Sequence, residues 1–452
     1  MTERSEIGDP GSEGGGRMSN ARRVLVVSST TGYQLRAFNE AAERRGIELV
    51  FATDRCHKLD DPWQDRAVAV RFHALDEAVH AIVERHRRQP VDGVIAVGDR
   101  PVVLAARVAD AIGLPWHSVP GAMASTDKRH SRSALAVGGL PAPDFCVLAA
   151  SSSDRRRPTS TLGFPVVLKP AGLSGSRGVI RANDSREFEA AFDRIRALLA
   201  RPQIRSARAG LEDEILVERY IDGREFAVEG VITHGHLRVF AIFDKPDPLE
   251  GPFFEETIYT TPSSLDSELQ AGLINHVALA TRALGLSHGP IHAECRIAPG
   301  GQIYVLEIAG RPIGGLCSRV LTLERTAPID GLQAPNSTSI EEVLLRHAIG
   351  ESVEEWMRER VGAAVMMIPI PARGLLKGVT GEAEARRVAG VTDVRITAKL
   401  GQLLEPLPEA GSYLGFIFAR GGTAADAERA VREAHGKLTF EVARELIVNR
   451  EP

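Results

Sequence analysis

LGLSHGPIHAECRIAPGGQIYVLEIAGRPIGG, residues 284–315, is the stretch of sequence that decides the fold of this chain. Two apolar runs within it, residues 291–297 and 303–308, have the composition of strands, and Gly300 and Gly301 lie between them. Both central positions of a type I′ turn need φ > 0, which glycine adopts readily. The stretch therefore predicts a β-hairpin with a two-residue turn at Gly300-Gly301.

Two carboxylates of this hairpin are predicted to lie opposite each other. A turn centred between Gly300 and Gly301 pairs residues at equal distances from it, so Glu294 faces Glu307. At a Cβ separation of roughly 4.5–5.5 Å the two charges repel unless a cation lies between them. Hard oxygen ligands beside a phosphate suit Mg²⁺, so Glu294 and Glu307 are predicted metal ligands. The alternative is an exposed hairpin with two solvated glutamates, which a one-residue slip of register would produce.

The composition limits the classes of function. The 452 residues carry a formal net charge of −4, which predicts no attraction to nucleic acid or to membranes. No apolar run reaches the roughly 18–20 residues of a membrane span, and the first residues lack a secretory signal, so we expect a cytoplasmic enzyme. Residues 1–20 are rich in Gly, Ser and Glu and are predicted to be disordered. The cysteines lack CxxC spacing, which argues against a disulfide framework or a zinc cluster; they are Cys56, Cys146, Cys295 and Cys317.

Strand and helix patterns alternate between residues 21 and 122. This alternation predicts an open, doubly wound parallel sheet. Gly98-Asp99-Arg100 follows one of the strands at its C-terminal end, where such sheets bind ligands. A contact with a substrate and a structural role as a loop and helix cap both remain open for these residues.

A lysine and a glycine-rich loop come together further along the chain. The apolar strand at residues 164–169 ends in Lys169, whose ammonium would lie at the mouth of the loop 172–178. The loop residues of interest are Gly172, Ser174, Gly175, Ser176 and Gly178. Bare N–H groups in such a loop can close over anionic oxygens, although the spacing is not that of a Walker A motif. A plain turn is the alternative.

Two more segments carry acidic side chains, and a histidine lies close to the hairpin carboxylates in sequence. ERYIDGRE, residues 218–225, reads as strand, turn and strand. Glu256 lies in an acidic and aromatic cluster, FFEE, that could hold the ammonium of a ligand. His292 lies two residues before Glu294 and so shares its face of the strand. It is predicted to support the metal ligands or to approach a substrate.

Three features together resemble the ATP-grasp superfamily: a strand lysine before a glycine loop, the ERYIDGRE turn and the hairpin with paired glutamates. In that superfamily two α+β lobes hold ATP between them. The resemblance implies that Lys128 and Lys169 contact the phosphates and that the loop 172–178 closes over them. It further implies an adenine site at Glu218 and the backbone of Tyr220, a ribose site at Glu225, and Leu306 in the same ATP site. Glu294 and Glu307 would carry Mg²⁺, with Mn²⁺ as a substitute.

The sequence after Glu307 indicates a branch of the superfamily. Many members continue as Glu-x-Asn, but Ala309 stands in place of the asparagine. The motif Glu307-x-x-x-Arg311-x-x-Gly314-Gly315 is similar to that of bacterial L-amino-acid ligases, which form dipeptides, and of their carnosine-synthase-like relatives. The resemblance implies that Arg311 contacts the transferred phosphate and that the N–H groups of Gly314 and Gly315 hold the oxyanion, with Lys169 also acting in catalysis.

The resemblance also implies the domain organisation and the reaction. We expect α/β and α+β architecture: an N-terminal Rossmann-like domain (21–122), a two-lobed ATP-grasp domain (123–340) and a small α+β C-terminal lid (341–452). The small lobe would span about 130–220 and the large lobe about 221–340. The expected reaction joins an amino-acid-like carboxylate to an amine through an acyl phosphate, in a family where homodimers are common. A biotin-carboxylase or glycinamide-ligase type of enzyme, or a non-catalytic nucleotide-binding module, remains as an alternative.

Overall fold

The structure is a computed structural model that describes residues 21–29, 34–54, 67–153, 157–207, 213–326 and 337–443. The tail predicted to be disordered, residues 1–20, and Cys56 lie outside this part of the chain. Within it, no helix combines the length and the apolar character that crossing a bilayer would take.

The N-terminal segment forms a four-stranded parallel sheet with helices on both faces. Its strand order is β3-β2-β1-β4. The elements are β1 (Arg23–Ser28), α1 (Leu35–Arg45), β2 (Glu48–Thr53), β3 (Ala67–Ala69), α2 (Leu75–Arg88), β4 (Gly93–Val97) and α3 (Pro101–Ile112). Alternate residues of β1 enter different cores, because side chains alternate across a strand. Val26 packs in one core with Phe38 of α1, and Leu25 packs in the other with residues of α2 and α3. The predicted doubly wound sheet is confirmed.

A small lobe follows, whose antiparallel sheet has its own core, while its first two helices bury Ala122 and Leu135 in the cores on either side. It comprises α4 (Val119–Thr126), α5 (Lys128–Val137), β5 (Phe145–Ala149), α6 (Arg157–Leu162), β6 (Val166–Pro170), β7 (Ile180–Ala182), α7 (Ser185–Ala200), α8 (Pro202–Ala207) and β8 (Glu214–Arg219). The strand order is β5-β8-β6-β7. Helix α7 buries Phe188 and Phe192 against the sheet residues Val166 and Leu168. The Asp127 side chain caps α5 by accepting a bond from the N–H of Arg129, which fixes Lys128 at the first turn of that helix.

The rest of the chain builds a larger sheet and its flanking elements. These are β9 (Arg224–Thr233), β10 (His236–Asp244), β11 (Ile258–Thr261), α9 (Ser267–Leu284), β12 (Gly289–Ile297), β13 (Ile303–Ala309), a 3₁₀ turn (Cys317–Val320), β14 (Thr322–Arg325), β15 (Ser337–Ser339), α10 (Ile340–Ala348), β16 (Trp356–Arg358), β17 (Gly362–Ile368), β18 (Gly374–Thr380), α11 (Glu382–Arg386), β19 (Val391–Ile396), β20 (Leu403–Leu404), β21 (Gly415–Gly421), α12 (Ala424–His435) and β22 (Thr439–Ala443).

C-terminal strands continue the central sheet. The eight-stranded order is β13-β12-β9-β10-β11-β17-β21-β19, and the join is the antiparallel pairing of β11 with β17. Strands β14 to β16 and strands β18, β20 and β22 form two separate three-stranded sheets. Because β17 and β21 belong to the same sheet as the β12–β13 hairpin, C-terminal residues are part of the sheet that carries the paired glutamates.

The hairpin forms as predicted, but its turn differs from the prediction. Gly301 N–H donates to Ala298 O (2.8 Å), Ala298 N–H donates to Gln302 O (2.9 Å), and Gly301 has φ +81°. This is a three-residue loop that ends in a left-handed glycine, so the predicted two-residue turn at Gly300-Gly301 is wrong. The reason is Pro299, whose fixed φ favours the second position of a type I turn.

A β-bulge restores the predicted pairing of the carboxylates. Next to the turn Cys295 pairs with Val305, one residue out of the predicted register. Leu306 is the extra residue of the bulge, and beyond it Glu294 pairs with Glu307. The two carboxylates are therefore opposite each other, although the turn and the bulge that place them there were not predicted.

Candidate active site

A cavity of about 330 Å³ lies between the sheet of the small lobe and the central sheet. Most of the predicted site residues line it: Lys128, Lys169, Ser174, Gly175, Ser176, Glu218, Tyr220, Glu225, Glu256, His292, Glu294, Leu306, Glu307, Arg311, Gly314 and Gly315. Gly172 lines an adjoining cavity of about 340 Å³ instead. Gly178 lines neither cavity; its N–H donates to Pro408 O at 2.8 Å, and an added Cβ would lie 2.6 Å from the Pro170 ring.

We call the side formed by Lys128, Lys169, Glu218 and Tyr220 the lobe end of the cavity. Lys169 Nζ lies 2.7 Å from Glu218 Oε2, and Arg132 Nε lies 2.7 Å from Glu218 Oε1. Burial raises the pKa of Glu218, but the two cations outweigh it and lower that pKa to about 2. Burial lowers the pKa of Lys169. A buried carboxylate with two cationic partners is a costly arrangement that holds Lys169 at the cavity wall.

The backbone and ring of Tyr220 close this end. Its N–H donates to Pro165 O at 3.1 Å. The guanidinium of Arg181 lies 4.1 Å from its ring centre, and the ring of Phe254 lies 6.5 Å away. A flat group entering here would meet aromatic and guanidinium planes, which favour stacking.

Lys128 links the glycine loop to the hairpin. Its Nζ donates to Leu173 O at 2.9 Å and lies 3.3 Å from Glu307 Oε2. One ammonium thus contacts both the loop after β6 and one of the paired carboxylates. A phosphate at this point would meet a cation already in place.

Glu294, the other member of the pair, lies beside a charged histidine. His292 Nε2 is 3.5 Å from Glu294 Oε1, and His292 Nδ1 bonds the buried carboxylate of Glu229. Burial lowers the pKa of His292, but Glu229 and Glu294 outweigh it and raise that pKa to about 9. Burial raises the pKa of Glu294, whereas Lys245 and His292 lower it well below its usual range. Glu294 is therefore an anion held between cations.

Lys245, at the end of β10, is a central residue of the cavity wall that the sequence analysis missed. Its buried ammonium lies 2.7 Å from Glu225 Oε1 and 3.8 Å from Glu294 Oε1, and it also contacts Glu256. Oxygens of these three carboxylates lie within 4.8 Å of one another. Despite burial, Glu225 and Glu256 raise the pKa of Lys245. Glu256, predicted to hold the ammonium of a ligand, thus already contacts an ammonium of the chain itself.

Arg311 is anchored by the N-terminal domain. Its Nε donates to Asp99 Oδ1 at 2.7 Å, and its Nη1 donates to Pro312 O at 3.0 Å. Burial raises the pKa of Asp99, but the guanidinium outweighs it and holds that pKa below its usual range. Asp99 follows β4 at the edge where parallel sheets bind ligands, and it lines the cavity. Its carboxylate orients the side chain of Arg311.

We call a second part of the cavity wall the sheet end; it is formed by Tyr259, Ile313, Met367, Tyr413 and Phe416. The rings of Tyr413 and Phe416 lie 6.2 Å apart. Gly315 has φ +62°, and an added Cβ would lie 3.1 Å from the ring of Phe416, so glycine keeps this wall open. This end is apolar and aromatic. No local sequence pattern indicated it, because its residues come from separate segments.

Family models match three parts of the chain. A model described as ATP-grasp N-terminal domain matches residues 39–116, one described as ATP-grasp domain matches residues 162–320, and one described as L-amino acid ligase C-terminal domain 2 matches residues 366–443. The predicted resemblance to this superfamily and to its L-amino-acid ligase branch is confirmed by these matches.

The fold and sequence are similar to those of known ligases. The structure of an L-amino acid ligase from Bacillus licheniformis is 25% identical with a TM-score of 0.73, covering 94% of this chain and 99% of that one. An alanine–anticapsin ligase of Bacillus subtilis is 25% identical over 53% of this chain and 52% of its own length. A D-alanine–D-alanine ligase of Aromatoleum aromaticum is 29% identical over 56% of this chain and 74% of its own length. The chain thus spans about half the length of the alanine–anticapsin ligase.

Proposed function

We propose that this chain, which belongs to the ATP-grasp superfamily, is a ligase that activates a small carboxylic acid as an acyl phosphate and joins it to an amine. The observation that carries this proposal is that Lys128, Lys169 and Arg311 face the same cavity as the opposed carboxylates Glu294 and Glu307. Cations and carboxylates around one cavity are what phosphoryl transfer between two bound partners requires. The expected products are ADP, phosphate and an amide.

ATP would lie across the lobe end. The adenine would enter beside Tyr220, where aromatic and guanidinium planes are available, with Glu218 at its edge and Leu306 on its face. The ribose would meet Glu225. The phosphates would extend toward Lys128 and Lys169, and the loop with Ser174, Gly175 and Ser176 would cover them. Gly172 and Gly178 would serve the shape of that loop, since neither lines the main cavity.

The opposed carboxylates fit Mg²⁺. Glu294 and Glu307 offer oxygen donors that open onto the cavity, with Lys128 beside Glu307 and with Lys245 and His292 beside Glu294. Such hard donors suit Mg²⁺ or Mn²⁺, and Ala309 leaves the site without a third donor from β13. A bound divalent ion would supply neutralisation of the charge on the transferred phosphate.

The chain's own residues would carry the reaction as follows. An oxygen of the bound carboxylate attacks the γ-phosphorus of ATP, ADP leaves, and an acyl phosphate forms. Arg311, oriented by Asp99, would hold the transferred phosphate. The amine then attacks the acyl carbon, the N–H groups of Gly314 and Gly315 hold the oxyanion, and phosphate departs. The loop after Lys169 would exclude water, which otherwise hydrolyses the acyl phosphate.

The sheet end would receive the side chain of the acid. It adjoins Arg311 through Ile313, Gly314 and Gly315, and its wall is apolar and aromatic. Glu256 lines the same cavity and, beside its contact with Lys245, would hold the ammonium of an amino acid. We therefore infer an acid with a bulky apolar or aromatic side chain as the preferred acyl donor, because the rings of Tyr259, Tyr413 and Phe416 with Met367 offer mostly apolar surface for it to bury.

The alternative enzyme types share the nucleotide lobes and differ elsewhere. The match of residues 366–443 to the C-terminal domain of L-amino acid ligases supports an amino acid over a glycinamide or biotin substrate. The side chains facing the cavity, including Lys169 and Arg311, support catalysis over a module that only binds nucleotide.

The test is to incubate the protein with ATP, Mg²⁺ and pooled amino acids, and to follow phosphate release and condensed masses. We expect phosphate release that depends on amino acids, together with a new mass equal to two substrates less water. ATP binding without turnover in any mixture would favour the inert module. Bicarbonate-dependent release with no amide product would favour a carboxylase.

A further inference from the structure

Gln34 is a buried residue of the N-terminal domain that contacts the segment after β13. It immediately precedes α1, yet its side chain makes no capping bond to that helix. Its Nε2 donates instead to Ile313 O, a residue far along the chain. Gln34 lines neither of the two cavities described above, and the reaction as proposed gives it no role.

Ile313 is held through its backbone and its side chain together. Its N–H donates to Glu229 Oε2 at 3.2 Å, and its C=O accepts the bond from Gln34. Its side chain is buried in the core that also contains Val231 and Phe416. Because all three groups are engaged, the two peptide units that flank Ile313 are fixed in orientation.

The peptide unit between Ile313 and Gly314 links Gln34 to the proposed oxyanion site. This unit is trans, so its C=O and its N–H point in opposite directions. The bond that turns Ile313 O toward Gln34 therefore turns the N–H of Gly314 away from Gln34. Gly314 lines the cavity. Among the residues that the structure describes, the N–H groups of Gly314 and Gly315 have no acceptor, so both can donate to a ligand.

We propose that Gln34 is a positioning residue for the acyl-transfer step, a role that rests on the proposed function. By holding Ile313 O, it aims the N–H of Gly314 at the oxygen that becomes negative when the amine attacks the acyl carbon. A donor that is fixed before the reaction stabilises this charge without reorganising, so its direction affects the rate.

The N-terminal domain then positions two groups of the reaction. Asp99 holds Arg311, and Gln34 holds the peptide unit of Gly314. Gln34 comes after β1 and Asp99 comes after β4, and these two strands pair in parallel. Neighbouring parallel strands end at the same edge of a sheet, where the residues that follow them meet a site. This shared edge explains why both side chains reach the segment after β13.

The experiment compares Gln34→Met with the matched control Gln270→Met in α9. Each substitution removes an amide that donates to a backbone carbonyl, since Gln270 Nε2 donates to Leu265 O at 2.7 Å. Gln270 lines neither cavity. ADP and amide are both measured with ATP, Mg²⁺ and amino acids, together with KM for ATP and the thermal unfolding of each protein.

Gln34→Met should form amide on the order of tenfold to a hundredfold more slowly, because the oxyanion donor is no longer aimed. KM for ATP should stay unchanged. The ADP formed per amide should rise above the wild-type ratio, since an acyl phosphate that waits for the amine is lost to water. Gln270→Met should keep the wild-type rate and ratio.

Each other outcome contradicts a distinct statement. A wild-type protein that forms no amide overturns the proposed function, and the role of Gln34 with it. An active wild type with Gln34→Met equal to Gln270→Met overturns the role of Gln34 alone, as does a loss of ADP and amide in equal proportion. Should Gln34→Met not fold, Gln34→Asn, whose amide is one methylene shorter, decides the question. It should also raise the ADP formed per amide, and an unchanged ratio overturns the positioning role.

Discussion

The lobe end and the sheet end of the cavity are assembled from the chain in different ways. Lys128, Lys169, Glu218 and Tyr220 of the lobe end come from α5 and the small-lobe sheet, all within residues 128–220. The sheet end combines residues of β11, the segment after β13, β17 and the segment before β21. Its geometry depends on the pairing of β11 with β17. A substitution at the lobe end should therefore change the binding of the nucleotide. A substitution at the sheet end should change the preference among acids.

The largest expected effect comes from Glu307, which contacts Lys128 of the lobe end. Glu307→Gln should lower turnover on the order of 10³-fold, because a neutral amide cannot balance the divalent ion or Lys128. The measurement is phosphate release with ATP, Mg²⁺ and amino acids. Thermal unfolding should stay unchanged, since Glu307 is partly exposed to the cavity.

A matched control is Glu268→Gln, an exposed glutamate in the first turn of α9. This variant should keep full activity. Turnover near the wild-type level in Glu307→Gln would contradict the metal assignment and remove the reason for two opposed carboxylates.

Lys245 connects Glu225, the proposed ribose contact, with the sheet end, because its Nζ lies 2.7 Å from Glu225 Oε1 and 5.1 Å from the ring centre of Tyr259. Lys245→Met should cost about 3–5 kcal/mol of unfolding free energy, since buried carboxylates lose their counter-ion. Urea denaturation measures this cost. Added Mg²⁺ should recover part of the lost stability in the variant and have less effect on the wild type, because the three carboxylates then offer an open cation site.

Lys399→Met is the matched control, since Lys399 is exposed; its unfolding free energy should stay within about 0.5 kcal/mol of wild type. An equally small change in Lys245→Met would mean that the three carboxylates do not depend on this ammonium and that the two ends are not coupled through it.

The contacts of Glu218 at the lobe end can be tested through the pH dependence of the unfolding free energy. Its pKa is about 2 in the fold, below the usual value near 4.3 of the unfolded chain. A lowered pKa stabilises the fold above the unfolded value, and this contribution disappears as pH falls toward the folded value. The difference in unfolding free energy between wild type and Glu218→Gln should be constant from pH 7 to 5 and then shrink, by roughly 2 kcal/mol at pH 3 and by roughly 3 kcal/mol only once pH lies below the folded value.

Urea denaturation of both proteins at several pH values between 7 and 3 provides the measurement, and the other carboxylates cancel in the difference. A difference that does not depend on pH would show that Glu218 is not paired with Lys169 and Arg132 in solution. The lobe end would then lack the anchor that holds Lys169.

Local spacing in the sequence predicted residues that share a motif, and failed where long-range pairing decides the position. The opposed glutamates were predicted correctly because both lie on one hairpin. The Pro299 turn and the bulge at Leu306 were not predicted, because the turn shifts the register by one residue and the bulge shifts it back. From the sequence, Lys245 was predicted only to be the last residue of a strand. Tyr413 reaches the cavity only because β21 pairs with β17, which no periodicity reports.

The smallest expected effect is that of a substitution at Tyr413. This substitution tests most directly whether the two ends bind different substrates. Tyr413→Ala should enlarge the sheet end and raise kcat/KM for acids with larger side chains about tenfold relative to smaller ones, the usual size of discrimination by an apolar pocket. KM for ATP should stay unchanged, because ATP is proposed to lie at the lobe end. Kinetics with a series of apolar amino acids measures both constants, with Tyr304→Ala on β13, outside the cavity, as the control. A change in KM for ATP with no change in acid preference would reverse the assignment of the two ends.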